Sequence, residues 1–242
     1  MAHAFAQAGA RLILSARRTV ELEQVKDELP LAAEDVMVLP LDLEQPDNFK
    51  ELVTAVQDRF GKIDLVVHNG GISQRALVQD TLLTVDQKLM AVNYFGAVAI
   101  TKAVLPGMLH QKSGHLVVIS SLVGKFGTPK RSAYAASKHA LHGFFDSLRA
   151  EVWRQNIKVT IICPGYVKTN ISYNALNATG GKHNRLDKNQ ELGMDPERCA
   201  YLILKAVAAG KQEVYIGGKE KLGVYLKRLV PGLFSRIIRS MT

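Results

Sequence analysis

The sequence predicts an α/β protein built on a doubly wound parallel sheet. Short β-branched and aliphatic runs alternate with longer amphipathic stretches along most of its 242 residues. Most of the short runs are continuously apolar, which is typical of parallel strands covered on both faces. Helices between parallel strands give right-handed crossovers and hence a doubly wound sheet. The length favours a single domain over residues 1–242, since about 150 residues is typical of one domain.

Six short runs are the predicted strands, and five longer stretches are the predicted helices. Pro46 and Pro196 stand where the first turn of a helix tolerates proline. The longest irregular stretch, residues 170–195, is expected to be a functional lid or a disordered loop. The predicted strands are Arg11–Ala16, Asp35–Leu39, Ile63–His68, His115–Ser120, Lys158–Cys163 and Glu213–Ile216, and the predicted helices are Val20–Leu29, Asp47–Phe60, Val85–His110, Ser132–Gln155 and Pro196–Ala209.

The composition is that of a globular protein, with 47% hydrophobic and 22% charged residues. This excludes a disordered chain, a fibrous repeat and a disulfide-stapled miniprotein. Cys163 and Cys199 are too few for a disulfide framework or a zinc ribbon, so no metal site is predicted. They suit a reducing compartment, and we expect a cytoplasmic protein. No apolar run approaches the roughly 18 residues that a membrane helix needs.

The net charge of +9 is concentrated near the C-terminus. A basic tail favours an anionic partner such as a membrane surface or a phosphorylated substrate, or is simply a solvated face. Nucleic acid is not predicted, because aromatic residues are few and no stacking platform appears.

The segment 219–242 is predicted to be an amphipathic helix broken near Pro231. We expect it to touch a membrane or cover a lipid substrate; the alternative is that it packs on the core or on a second copy. Its apolar stripe comprises Leu222, Tyr225, Leu226, Leu229, Leu233, Phe234, Ile237, Ile238 and Met241.

The strongest chemical signal is the spacing of Tyr134 and Lys138 in the run Tyr-Ala-Ala-Ser-Lys. Residues i and i+4 share a helix face, so the phenol and the ammonium are expected to approach the same place. A nearby cation lowers the pKa of a phenol from about 10 toward working pH, which makes it a usable general acid or base. The spacing alone is a weak signal, because both residues are common.

Two polar residues strengthen that signal. Ser121 follows the predicted strand HLVVIS, where open α/β sheets bind ligands, and its hydroxyl is expected to hold a substrate oxygen beside the phenol. Ser120 fits the spacing equally well. Asn93 lies within a predicted helix, where asparagine is unfavourable. It is expected to kink the helix or place a water beside Lys138; the alternative is a satisfied buried amide.

In order along the chain, these motifs resemble the short-chain dehydrogenase/reductase family. The run His68-Asn69-Gly70-Gly71 stands where the family has Asn-Asn-Ala-Gly, and Pro-Gly-Tyr-Val-Lys-Thr follows the fifth predicted strand. The resemblance covers nearly the whole chain and implies a Rossmann fold. His68 departs from the family, and as a lone histidine after an apolar strand it is expected to be a hydrogen-bonded core residue.

The resemblance implies a role for each matching residue. Tyr134 would be the catalytic acid or base, and Lys138 would lower its pKa and bind the nicotinamide ribose. Ser121 would orient the reacting oxygen, and Asn93 would complete a proton relay. The cofactor would be contacted by Asp42 at the adenine, by Asn69, Gly71, Tyr134, Lys138 and Pro164, and by Val167 and Thr169 at the carboxamide or phosphates.

The run around Tyr134 and the C-terminal Tyr-Leu-Lys-Arg look similar to the member 7-like branch of the family, which acts on lipids, retinoids and steroids. The resemblance therefore implies a hydrophobic carbonyl or alcohol substrate, and sugars or small ketones are the alternative. It also implies a homo-oligomer.

The cofactor preference is predicted from the end of the first predicted strand. Nicotinamide enzymes that bind an unphosphorylated ribose place an acid at the end of their second strand, to which this strand corresponds. Here the strand is followed by Arg17 and Arg18 instead. Guanidinium groups suit phosphate, so we expect NADP(H) over NAD(H).

The family's opening strand and its Thr-Gly-x-x-x-Gly-x-Gly turn are missing. The missing strand is central in the family's order, so a gap of two strand spacings, about 4.8 Å each, is expected between RLILSA and IDLVVH. Two explanations of the missing strand are a chain start that lies after the protein's true first residue and a truncated isoform. The first is favoured, because the catalytic motifs later in the chain are intact. We expect a carbonyl reductase or alcohol dehydrogenase. The alternative is a non-catalytic binding or scaffold protein of the same fold, which the absent turn favours.

Overall fold

A computed structural model describes residues 1–240, which contain six β-strands and ten α-helices. The predicted strands and helices are confirmed, with their ends within three residues of the predicted ones. The strands are β1 (Leu12–Leu14), β2 (Val36–Val38), β3 (Leu65–His68), β4 (Gly114–Ile119), β5 (Ile157–Pro164) and β6 (Glu213–Ile216). The helices are α1 (Ala2–Gln7), α2 (Thr19–Glu28), α3 (Phe49–Phe60), α4 (Leu83–Met90), α5 (Gly96–Gln111), α6 (Ser132–Val152), α7 (Lys188–Glu191), α8 (Pro196–Ala208), α9 (Leu222–Leu229) and α10 (Pro231–Arg239).

The strands form two parallel sheets. β1 pairs with β2, and the other four strands follow the order β3-β4-β5-β6. Within residues 1–240, β1 pairs only with β2, and β3 only with β4. A cavity of about 770 Å³ lies between the two sheets, lined by Ile13 of β1 and Val67 of β3. This separation agrees with the predicted gap.

The four-stranded sheet is covered on both faces. In β4, Leu116 and Val118 belong to an apolar cluster shared with α4, α5 and α6, whereas Val117 belongs to a second cluster shared with α8. All three side chains are completely buried. A continuously apolar strand whose alternate residues serve two cores is what a doubly wound sheet requires. The predicted α/β Rossmann fold is therefore confirmed.

The predicted helix Val85–His110 is interrupted. α4 and α5 are joined by a π-helical turn, Ala91–Phe95, with Asn93 at its centre. π-Turns are frequent at functional sites because they redirect side chains locally.

By length and composition, the helical run Leu83–Gln111 could cross a membrane, although the sequence predicted no such run. Its buried residues Val85, Leu89, Val104 and Met108 belong to the main apolar cluster of the molecule. A core helix passes the same test, so this is a weak sign of a membrane span.

Candidate active site

Most of the residues singled out by the sequence gather where β3, β4 and β5 end. A cavity of about 310 Å³ lies at these carboxyl ends, which is where parallel sheets bind ligands. Each strand runs directly into a segment that carries one of the motifs. The predicted site residues that line this cavity are Asn69, Gly71, Ser121, Tyr134, Lys138, Pro164, Val167 and Thr169.

Tyr134 and Lys138 lie on the first two turns of α6 and share a face, as their spacing predicts. The Lys138 Nζ atom is 5.8 Å from the centre of the Tyr134 ring. It donates a hydrogen bond of 2.8 Å to the carbonyl oxygen of Ile119, the last residue of β4. Both side chains are buried. The end of β4 therefore fixes the ammonium beside the phenol.

The electrostatic balance at Tyr134 differs from the sequence prediction. Burial raises the pKa of the phenol above its ordinary value, while a hydrogen bond with Ser121 and the positive charges of Arg75 and Arg131 oppose that rise. The sequence assigned the opposing role to Lys138. In the structure, burial lowers the pKa of Lys138 itself to about 8, since a desolvated ammonium is disfavoured.

The structure distinguishes Ser121 from Ser120, which spacing alone could not do. The Ser121 hydroxyl accepts a hydrogen bond of 3.3 Å from the Val123 amide, where it caps a 3₁₀ turn, and it lies beside Tyr134. The Ser120 hydroxyl is buried and lies 3.0 Å from Nε2 of His142. Ser121 is therefore the serine that shares the phenol's environment.

Asn93 does not line the cavity but lies behind it. Its Oδ1 accepts a hydrogen bond of 2.8 Å from the Ile72 amide, and its Nδ2 donates to the Ile72 carbonyl and to the Ser137 hydroxyl, at 2.9 Å each. The amide is thus fully satisfied, as the structural alternative predicted. It ties the segment after β3 to α6.

His68 is a core residue, as predicted. Its Nε2 lies 3.0 Å from the Thr101 hydroxyl, and its ring packs 5.5 Å from the ring of Phe145. Burial lowers its pKa to about 4, so the imidazole is neutral in the folded protein.

Gly71 lies beside Lys138, at the end of the cavity where the resemblance implies the nicotinamide ribose. A Cβ atom added to this glycine would lie 3.2 Å from Asn93 Oδ1 and 3.5 Å from Lys138 Nζ. Glycine lets bare backbone approach a ligand closely. Asn69 and Gly71 line both cavities, so they join this end to the gap between the sheets.

The two residues predicted for the adenosine end line the larger cavity instead. Arg17 is exposed at the carboxyl end of β1, whereas Arg18 is paired with Glu21 of α2. Asp42 follows β2, and its Oδ1 accepts a hydrogen bond of 3.0 Å from the Glu44 amide. Arg17 is therefore the arginine available to a phosphate at this end.

Sequence reasoning missed an ion-pair cluster at the cavity wall. Arg75 and Arg131 both line the cavity, and both bind the carboxylate of Asp187. Asp187 lies in the predicted irregular stretch, 112 residues from Arg75. No spacing pattern signals a contact of that separation. In residues 1–240, no group of three or more His, Cys, Asp or Glu side chains is placed to hold a metal ion.

Comparisons with known proteins agree with this geometry. A family model described as short chain dehydrogenase matches residues 1–179. The chain is 45% identical, over 97% of its length and 73% of the relative's, to a "Dehydrogenase/reductase SDR family protein 7-like" of Drosophila melanogaster.

Two solved structures extend the comparison. A short-chain dehydrogenase from Streptomyces avermitilis is 27% identical with a TM-score of 0.83, covering 100% of this chain and 92% of the other. ElxO with NADP bound is 25% identical with a TM-score of 0.65, over 68% of this chain and 66% of the other.

The family model, the relatives and the fold point the same way. Members of this group are oxidoreductases that bind a nicotinamide cofactor, act on small molecules and often form oligomers. The chain belongs to the short-chain dehydrogenase/reductase family.

Proposed function

We propose that this protein transfers a hydride between NADP(H) and a hydrophobic carbonyl or alcohol substrate, with Tyr134 as the acid or base. One observation carries the proposal: Tyr134, Ser121 and Lys138 line a single cavity at the carboxyl ends of the strands. These three groups can hold one oxygen atom and exchange a proton with it.

A bound cofactor supplies the hydride, and the protein supplies orientation and proton transfer. In the reducing direction, the Ser121 hydroxyl donates a hydrogen bond to the carbonyl oxygen, and the Tyr134 hydroxyl gives that oxygen its proton. The raised pKa of Tyr134 keeps the phenol protonated before the reaction. The Lys138 ammonium stabilises the phenolate that proton transfer leaves. Asn93 holds the backbone at Ile72, next to Gly71.

The preference for NADP(H) rests on Arg17. Its guanidinium is exposed, lines the cavity between the sheets and stands where an acid would bind an unphosphorylated ribose. A guanidinium matches phosphate geometry through paired hydrogen bonds. The NADP bound to ElxO is consistent with this preference.

The proposal of a hydrophobic substrate is based on the apolar part of the cavity wall. Leu122, Val123 and Phe126 line it, and all three are largely buried. Such an apolar wall favours a substrate whose reacting oxygen is attached to a hydrocarbon body.

Replacement of Tyr134 by phenylalanine tests the catalytic role. It removes one hydroxyl and little packing, so the fold should persist while turnover falls about 10²- to 10⁴-fold, the usual range for general acid catalysis. Tyr201→Phe is the matched control, since Tyr201 is an exposed tyrosine of α8 outside the cavity. Turnover of Tyr134→Phe within a few-fold of the wild type would contradict the assignment.

The gap between β1 and β3 is the observation that favours a non-catalytic binding protein instead. A fluorescence titration with NADPH separates the two functions. Binding that is lost on changing Arg17 but retained in Tyr134→Phe supports the enzyme. The absence of NADPH binding by this chain supports the alternative.

We further propose that α9 and α10 contact an anionic membrane surface from the cytoplasmic side. Both cysteines are free, which fits a reducing compartment. The helices break at Val230, as the sequence predicted. Leu229, Leu233 and Ile237 are exposed beside cationic side chains such as Arg228. Exposed apolar and basic residues on short helices are the combination that binds anionic bilayers.

Part of the apolar stripe of segment 219–242 packs against the rest of the domain instead of being exposed. Phe234 is buried against Phe126, with ring centres 5.1 Å apart, and Phe126 lines the substrate cavity. The segment therefore packs on the cavity wall with one face, as the predicted cover would. Met241 lies outside the described residues.

The membrane proposal is tested with vesicles of phosphatidylcholine and phosphatidylserine. Leu229→Ser and Leu233→Ser together should abolish cosedimentation without unfolding the chain, because both residues are exposed. Leu192→Ser, an exposed leucine elsewhere, is the control. Unchanged cosedimentation, or a change in oligomer size in place of lost lipid binding, would overturn the proposal in favour of a second copy as the partner.

A further inference from the structure

The carboxylate of Asp187 joins three parts of the chain at the edge of the substrate cavity. Its Oδ2 atom is 2.6 Å from Nη2 of Arg75, in the segment after β3, and 2.9 Å from Nη2 of Arg131, which precedes α6. The Asp187 amide donates to the Ser172 hydroxyl at 3.2 Å. The three charged side chains are 8–22% exposed.

We propose that Asp187 is a positioning residue: it fastens the stretch 170–195 over the substrate cavity and holds Arg75 and Arg131 beside Tyr134. Its effect on turnover rests on the proposed function. The part of the proposal that concerns the attachment of residues 170–195 rests on the observed ion pairs and not on the proposed function.

The stretch is also attached to the domain by backbone hydrogen bonds. The amide of Arg75 donates to the Leu176 carbonyl and the amide of Leu176 to the Ser73 carbonyl, at 2.8 Å each. The stretch contributes Ile171 and Gln190 to the wall of the cavity. Its sheet-like pairing consists of isolated bridges, such as that between Gln74 and Leu176. Charge-assisted bonds to guanidinium groups are the strong kind, so we expect the Asp187 cluster to strengthen this attachment.

Arg75 is the fixed member of the cluster. Its Nε and Nη2 atoms bind Asp187, and its Nη1 donates to the Ser73 hydroxyl at 2.7 Å and to the Gln74 carbonyl at 2.6 Å. The Gln74 side chain accepts a hydrogen bond of 3.0 Å from the Ala133 amide, one residue before Tyr134. The clamp thus reaches the turn of α6 that carries the phenol.

The cluster also sets the charge at the phenol. The groups that act on Tyr134 are Ser121, Arg75 and Arg131, with the Lys138 ammonium 5.8 Å from its ring. Asp187 neutralises part of the charge of the two arginines. Removing its charge leaves both cations uncompensated, whereas removing Arg131 takes one cation away. The two changes should move the titration of Tyr134 in opposite directions.

The experiment compares Asp187→Asn, Arg131→Gln and Asp195→Asn. Asp195 is the matched control, because it lies in the same stretch but pairs with Lys168 on the surface. The phenol is titrated by phenolate absorbance, taken as the difference from the same variant carrying Tyr134→Phe. Hydrogen exchange reports the attachment of residues 170–195.

In Asp187→Asn we expect the Tyr134 pKa to fall by about half a unit or more, and in Arg131→Gln we expect it to rise. Amides of the stretch should exchange about tenfold faster in Asp187→Asn, as local opening predicts. The KM for substrate should rise about tenfold while kcat changes less. Asp195→Asn should match the wild type.

Shifts of the same sign in both variants, or exchange no faster than in Asp195→Asn, would overturn the proposal. If Asp187→Asn does not fold, the Arg131→Gln variant tests the proposal, because it keeps the Arg75–Asp187 ion pair. An unchanged or lower pKa of Tyr134 in Arg131→Gln would overturn the proposal. The phenol titration and the hydrogen-exchange measurement can be made even if the protein turns over no substrate. A wild type without turnover therefore refutes the proposed function and leaves this test intact.

Discussion

His68 makes the folded protein sensitive to acid through a single buried imidazole. Its pKa is about 4 in the folded chain and 6.5 in the unfolded chain, so the unfolded state binds more protons in between. Stability therefore falls as the pH drops below 6.5, and this loss levels off below about pH 4. Because the pKa of His68 differs between the folded and unfolded chains, proton linkage makes the free energy of unfolding about 2 kcal/mol smaller at pH 5 than at pH 7.

Urea unfolding of the wild type and His68→Gln at both pH values measures this contribution. Glutamine reaches toward the Thr101 hydroxyl as the imidazole does, but it does not titrate. We expect the stability difference between the two pH values to be about 2 kcal/mol smaller in His68→Gln. Other titrating groups, including the buried His115, are present in both proteins and cancel.

His110→Gln is the control, because His110 is exposed on α5. It should keep the pH dependence of the wild type. A pH dependence of His68→Gln equal to that of the wild type would refute the reasoning, since it would mean that the imidazole is charged or solvated in the folded chain.

Two further changes test the cofactor end and the C-terminal segment. Arg17→Asp should reverse or erase a preference for NADPH over NADH, measured as the ratio of kcat/KM values, because a carboxylate repels phosphate and binds a ribose hydroxyl. Equal use of both cofactors by the unmodified protein would contradict the proposed preference. Phe234→Ala should lower the free energy of unfolding by about 3 kcal/mol, since the ring is buried against Phe126. Leu233→Ala, at a half-exposed neighbour, should cost far less.

The sheet could be predicted because its strands are marked locally. β4 and β5 read as continuous apolar runs, and their burial on both faces is what such runs require. The ends were harder to place: Arg11–Ala16 narrows to Leu12–Leu14 because β1 has a ladder partner on one side only. The π-turn around Asn93 was signalled only as a polar residue in an apolar helix.

The candidate site likewise has a part that the sequence could predict and a part that it could not. The positions of Tyr134, Lys138 and Ser121 follow from helix spacing and from strand ends, which are local features. The contacts of Asp187 with Arg75 and Arg131 depend on how a long irregular stretch folds back, and no periodicity encodes that. The pKa of Tyr134 differs from the sequence prediction because burial raises it, and the spacing of Tyr134 and Lys138 carries no information about burial.

The two ends of the proposed site, at Tyr134 and at Arg17, are held in place by different sheets. Tyr134 and Ser121 depend on the four-stranded sheet and α6, which share the main apolar cluster. Arg17 depends on β1, whose sheet has a small cluster of its own and is held to α3 by Arg59, which donates to the Val36 carbonyl at 3.2 Å. No ladder hydrogen bond sets the distance from β1 to β3. The proposed proton transfer can therefore be assembled without β1. We expect the affinity for a nicotinamide cofactor to depend on the spacing of the two sheets, because the proposed cofactor contacts lie on both.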